Sequence, residues 1–143
     1  MKFVSKTCAI AILGACAWTT ASASASTLIG DTIDVELTGG LSVLDTGVLV
    51  GPGVELQGGD ASTNWGAFLF PSESIDIDAT TISMAFDTSL GEFAMLTFSD
   101  LDFGAGIGGV TLASTIPEVT MANVSFTADS ITLDLTDWFA VGG

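Results

Sequence analysis

Histidine and tyrosine are absent from this 143-residue chain, and its cations and cysteines run out early. Lys2 and Lys6 are the only basic side chains, and Cys8 and Cys16 the only thiols. All 17 Asp and Glu residues lie beyond them, giving a formal net charge of −15. Each absence excludes a class of chemistry. Without His, Cys, Lys or Tyr, residues 27–143 hold no Ser-His or Cys-His pair, no Schiff-base lysine and no imidazole-bound transition metal. They also form no disulfide and no thiolate metal site. Nucleic acids are bound largely through Lys and Arg, so a cation-free acidic surface repels them, and it repels anionic membranes for the same reason. Carboxylates remain as the acids, bases and ligands, and they suit hard cations such as calcium.

What is present begins with a leader. Lys2 and Lys6 precede the apolar run Cys8-Ala9-Ile10-Ala11-Ile12-Leu13-Gly14-Ala15-Cys16-Ala17-Trp18, and Ala21-Ser22-Ala23-Ser24-Ala25-Ser26 follows. A basic start, a short apolar core and A-x-A spacing define a secretory signal peptide, expected here over residues 1–25. The apolar core is shorter than the roughly 20 residues that span a bilayer, so no stable membrane span is expected after cleavage. Leu13-Gly14-Ala15-Cys16 also has the form of a lipobox, which would anchor the chain through an acylated Cys16. Ala17-Trp18 extends the apolar core past that cysteine and favours plain cleavage. The expected product is one acidic domain, residues 26–143, secreted or held at a cell surface.

Beyond the leader the hydrophobic period is two. Ile33, Val35 and Leu37 alternate with polar residues, as do Ile75 and Ile77, and Ile131, Leu133 and Leu135. Such alternation reads as strands with one buried and one solvated face. Further strands are expected at 41–44, 48–50, 54–56, 67–70, 82–86, 93–98, 110–113 and 119–126. Glycine and proline turns separate most of them. No 3.6-residue period is sustained, so the expected fold is all-β, a single antiparallel β-sandwich of jelly-roll or Ig-like type. Phe68, Phe70, Phe86, Phe93 and Phe98 alternate as core residues do.

Segments opening at Asp31, Glu73 and Asp129 look alike: an acid, a hydroxyl residue and isoleucine, then alternation. They begin 42 and 56 residues apart, too irregular for a solenoid, and read as acidic-faced strands. The sequence closes on Trp138-Phe139-Ala140-Val141-Gly142-Gly143, where a glycine pair would ordinarily lead into another strand. The sandwich is therefore expected to lack its last strand, and the open edge is a candidate self-assembly surface.

Three carboxylate arrangements can carry chemistry. Asp45-Thr46-Gly47 has the form of the aspartic-protease loop, in which two chains of this size share a proton between two Asp. Val48 stands where that loop wants a small residue, and Gly106 interrupts the apolar pair of the closing motif at Ala105–Gly109, so a turn is the plainer reading. Asp76-x-Asp78 and Asp100-x-Asp102, if extended, place two carboxylates on one face about 7 Å apart. Joined by Asp60, Glu73 or Asp129 from loops, they are candidate calcium ligands. Glycosidase pairs need only two facing carboxylates, and among 17 acids such spacing carries no information. Trp65, in a polar loop, is the candidate exposed aromatic for a carbohydrate ligand. The acidic surplus has a plainer source as well, a surface adapted to high salt.

Val48-Leu49-Val50-Gly51-Pro52-Gly53-Val54-Glu55, Ser74-Ile75-Asp76-Ile77 and Asn123-Val124-Ser125-Phe126-Thr127-Ala128-Asp129-Ser130-Ile131-Thr132-Leu133-Asp134-Leu135 resemble a group of small bacterial exported proteins. Many of that group carry a C-terminal PEP-CTERM sorting tag. Val110-Thr111-Leu112 and Thr115-Ile116-Pro117 fill the positions before its "SFTADSI" strand. The resemblance implies a β-sandwich in the surface or extracellular matrix of exopolysaccharide-producing Gram-negative bacteria, and it brings no catalytic residues. The tag itself, Pro-Glu-Pro with an apolar span and an arginine cluster, is not in this sequence. The expectation is a non-enzymatic protein that binds an extracellular polysaccharide or surface protein, or assembles. The alternatives are a calcium-dependent adhesive or carbohydrate-binding module and a dimeric protease using Asp45.

Overall fold

The computed structural model describes residues 6–14, 27–86 and 94–136. Ten strands appear among them: β1 (Lys6–Gly14), β2 (Thr32–Thr38), β3 (Val43–Leu49), β4 (Val54–Gln57), β5 (Ser74–Ile77), β6 (Thr81–Phe86), β7 (Met95–Ser99), β8 (Ile107–Ser114), β9 (Val124–Phe126) and β10 (Ile131–Asp134). They form two five-stranded sheets, ordered β4-β5-β6-β1-β8 and β3-β2-β7-β10-β9, with every pairing antiparallel. The fold is an all-β sandwich.

Alternation drives the layering. β2 buries Ile33, Val35 and Leu37, β6 buries Ile82, Met84 and Phe86, and β10 buries Ile131 and Leu133. Each such side chain contributes about 1.5–3 kcal/mol by leaving water. The intervening residues, among them Asp34, Glu36 and Asp134, are only half-buried on the outer faces. The three look-alike segments therefore do become acidic-faced strands, β2, β5 and β10.

The leader segment is not outside this frame. β1 lies within the first sheet, with Lys6 opposite Phe86 and Ala11 opposite Thr81 on β6. On its other side Cys8 stands opposite Ser114 and Leu13 opposite Gly109 on β8. Ile10 is fully buried in the shared core. β1 therefore takes an interior place in its sheet, between β6 and β8. The final strand expected to be missing would follow residues 137–143, which lie outside the described residues.

Local readings differ in three places. The segments 41–44 and 48–50 fuse into β3, because a bulge opposite Ile33 and Val35 absorbs the extra residues and Gly47 turns left-handed there (φ 65°). Residues 67–70, expected as a strand, instead belong to the one-turn helix α1 (Asn64–Phe68) and its exit. Thr63 caps α1, its Oγ1 accepting the Gly66 amide at 2.8 Å. A side chain at Gly66 would overlap the Asp60 carbonyl, so the helix seats only through glycine. Residues 119–126 begin with a 3₁₀ turn at Met121–Asn123 before β9. Of the phenylalanines expected in the core, Phe86 and Phe98 are buried and Phe68 is half-buried, but Phe70 is 58% exposed. Phe93 lies outside the described residues. Among the described residues no helix is long and apolar enough to cross a membrane.

Candidate functional site

The strand ends that gather at one end of the sandwich enclose an open cleft of about 480 Å³. Asp100 and Asp102 line it, together with Asp31 and Asp129. Asp31 stands just before β2, Asp100 and Asp102 follow β7, and Asp129 precedes β10. The loop after β7 is fixed by its neighbours. Asp100 takes a left-handed backbone conformation (φ 61°), and the Leu101 amide donates to the Asp129 carbonyl at 2.9 Å. The Asp102 amide donates to Asp31 Oδ2 at 2.9 Å, and Asp102 Oδ1 accepts the Gly104 amide at 2.9 Å. Asp129 Oδ1 accepts the Thr127 hydroxyl at 2.7 Å. Apolar Leu101 and Phe103 turn inward from the same loop and are buried.

The cleft is thus acidic and shallow, and its carboxylates are largely engaged in shaping loops. Among the described residues no three acidic side chains converge closely enough to hold a metal ion. A divalent ion needing six to eight oxygens would have to draw these loops together.

The candidate ligand pairs separate. Asp100 and Asp102 reach the cleft, and Asp129 joins them as a loop acid; Asp60 and Glu73 do not line it. The expected extended Asp100-x-Asp102 pair is not a strand, because the left-handed turn at Asp100 ends β7 first. Asp76 and Asp78 lie at β5, in the other sheet, and do not line the cleft either. Asp76 Oδ1 is buried without a hydrogen-bond partner, while Asp78 is exposed. Those two carboxylates occupy different environments and do not form a matched pair.

Trp65, expected at the surface, is completely buried. Its indole Nε1 donates to the Val35 carbonyl at 2.9 Å, and its ring meets Phe68 edge-on at a centroid distance of 5.8 Å. One polar handle satisfied inside an apolar site is how tryptophan is buried without loss. It offers no face to a sugar.

Asp45 holds that helix in place. Its Oδ1 accepts the Asn64 amide at 3.0 Å and its Oδ2 the Trp65 amide at 2.8 Å, while Asn64 Nδ2 donates to the Leu44 carbonyl at 2.7 Å. Both carboxylate oxygens are used on the first amides of α1. The protease-like triplet is neither a hairpin turn nor an open loop, since Asp45, Thr46 and Gly47 all lie within β3. Other acids serve the backbone in the same way. Glu55 bridges Gly51 and Ile77, its Oε1 and Oε2 accepting their amides at 2.9 and 2.6 Å, and buried Glu73 accepts the Phe70 amide at 2.8 Å.

Two carboxylates are held below their ordinary range by hydrogen bonds. The Thr136 hydroxyl and amide do so for Asp134, and the Ser62 hydroxyl and amide for Asp60. Sequence reasoning missed Asp31 as a cleft residue, although it opens the first of the three look-alike segments. It also missed the support that Asp45 gives to α1, for which the signal was Thr63-Asn64, a helix cap 18 residues downstream.

Comparison with family models, with curated proteins and with solved structures gives no match for this chain.

Proposed function

We propose that this chain is an exported, non-catalytic acidic β-sandwich that works by binding or assembly at the surface or in the matrix of a Gram-negative bacterium. The observation that carries this reading is the use of Asp45: both oxygens of the one aspartate with a catalytic-looking context hold the amides of α1. A carboxylate so engaged is not poised to share a proton with a second Asp. Among the described residues, Glu55, Glu73, Asp102 and Asp129 shape loops, and Asp34, Glu36 and Asp134 lie on the outer faces of β2 and β10. The partner that fits is a neutral or cationic extracellular polymer or a surface protein, since anionic surfaces are repelled. Export rests on the leader, and the matrix setting on the resemblance to tagged exported proteins.

A calcium-dependent module is the second reading, favoured by one observation, that Asp31, Asp100, Asp102 and Asp129 line one cleft. A thermal melt separates the two. In about 1 mM calcium, a site with a Kd near 10 μM would add about 2.7 kcal/mol, or very roughly 10 °C for a domain of this size. The expected outcome is an equal, modest shift with calcium, magnesium and high sodium, which is charge screening. A rise specific to calcium, lost in Asp102→Asn, would replace the first reading with the second.

A further inference from the structure

Of the ten described strands only β1 comes from the expected leader, and it lies between two strands of its sheet. Its register spans six positions on β6, Lys6 to Ala11 opposite Phe86 to Thr81, and runs from Cys8 to Gly14 along β8. Cleavage near residue 25 would withdraw it and leave β6 and β8 about 9.5 Å apart, two strand spacings. Among the described residues no other strand stands beside β6 on that side, and none but β1 pairs with β8. Unpaired backbone groups inside a sheet are costly, so this groove favours an extended guest.

The walls of the groove define that guest. On the inner side β6 presents Ile82, Met84 and Phe86, all buried, and β8 presents buried Val110 and half-buried Leu112. Ile10 stands between Ile82 and Leu112 and is fully buried, so the guest needs an aliphatic side chain there. Period two repeats the requirement opposite Met84 and opposite Val110. The intervening positions face outward, where Ser83 is half-buried and Ala113 exposed. One of them, held by Ala9, lies between Ser83 and Ala113. On the far side of Ser83 stands Asp76 of β5. β6 and β8 hold no charged residue, and residues 27–143 hold no cation. A long basic side chain at the Ala9 position is therefore drawn to Asp76, and an acidic one is repelled. A second copy does not fit this description. Its described strands beyond the leader are paired in their own sheets, and together they hold acids and no base.

We propose that the groove between β6 and β8 is a strand-acceptor site, filled in the exported protein by an extended segment of another protein. That segment carries aliphatic residues at alternate positions and a basic residue beside Ser83, and it runs antiparallel to both neighbours as β1 does. The proposal rests on the reading of an exported chain, cleaved after its leader, that works by binding.

The test uses the full chain exported from a Gram-negative host, with intact mass showing whether residues 1–25 are gone. Three synthetic peptides serve as probes: residues 6–14 with Cys8→Ser, and that peptide with Ala9→Arg or with Ile10→Pro. In the processed monomer, amide exchange in β6 and β8 is expected to be faster than in β2 and β7. The first peptide should slow exchange in β6 and β8 about tenfold or more and leave β2 and β7 unchanged. The Ala9→Arg peptide should bind about twofold to fivefold more tightly, as an exposed ion pair allows, and Asp76→Asn in the protein should abolish that gain. The Ile10→Pro peptide lacks a ladder donor and should not bind. A retained leader would overturn the cleavage reading, and the acceptor site with it. With the leader gone, four results would overturn the acceptor site alone. One is a monomer whose β6 and β8 are already protected, since the chain then fills its own groove. Another is protection seen only in a dimer. The third is a processed chain that the first peptide does not protect, and the fourth is equal binding of the Ile10→Pro peptide. Equal affinity of the Ala9→Arg and Ala9 peptides would overturn the basic residue in the guest.

Discussion

The two sheets bury similar side chains but differ in where their strands come from. The sheet β3-β2-β7-β10-β9 is drawn entirely from residues 43–134 and 32–38, all beyond the leader. The sheet β4-β5-β6-β1-β8 is joined through its interior by nine residues of the leader segment. Among the described residues, every strand of the former lies beyond the expected leader, whereas the latter includes one strand from within it. The difference shows that a strand can be read as an export signal by composition and still be what the geometry of a sheet requires. A run of Ala, Ile and Leu satisfies both a membrane-targeting machinery and a half-buried ladder.

The sharpest way to break that comparison is to truncate one fully buried residue in each sheet. Ile10→Ala and Leu133→Ala should each cost about 2–5 kcal/mol in the uncleaved chain, read as a fall in the denaturation midpoint. In the exported chain only Leu133→Ala should retain its cost. Equal costs for both in the exported protein would mean that β1 stays.

A smaller effect is expected at the join between the sheets. Asp45→Ala removes the acceptor for two α1 amides and should cost about 1–2 kcal/mol, comparable to the loss of a helix cap. The effect should be the same in cleaved and uncleaved chains, because α1 packs against β3 and β4, away from β1. If wild-type protein cleaves peptides at acid pH and Asp45→Asn abolishes that cleavage, the structural account of Asp45 fails.

The smallest expected effect is a pH dependence at the end of β10. Hydrogen bonds from Thr136 lower the pKa of Asp134 from its ordinary 3.8. A depressed carboxylate contributes stability that is present above the unfolded pKa and lost as pH falls through the folded one. Thr136→Val should therefore melt slightly below wild type at neutral pH. The two curves should converge in acid below the lowered pKa of Asp134, as a melt series across pH would record.

Much of the sandwich was legible because period-two alternation is enforced by burial on one face. Ile33-Asp34-Val35 and Ile131-Thr132-Leu133 leave little choice of orientation. α1 was not legible, since one turn has no period to detect and its stability comes from Asp45, 20 residues from Trp65. The polar neighbours of Trp65 suggested exposure, yet Asp60, Ser62, Thr63 and Asn64 are polar because they cap and turn the chain around a buried indole. The cleft was half legible. Asp100 and Asp102 are close in sequence, but the arrival of Asp31 and Asp129 depends on which strands become neighbours, and local pattern does not carry that.

The burial of Trp65 has an optical consequence. An indole sealed in an apolar site with its N–H bonded emits further to the blue than one in water, and it does so only while β2, β3 and α1 hold together. Cleavage of the expected leader would take Trp18 with it and leave this indole and that of Trp138 in the exported chain.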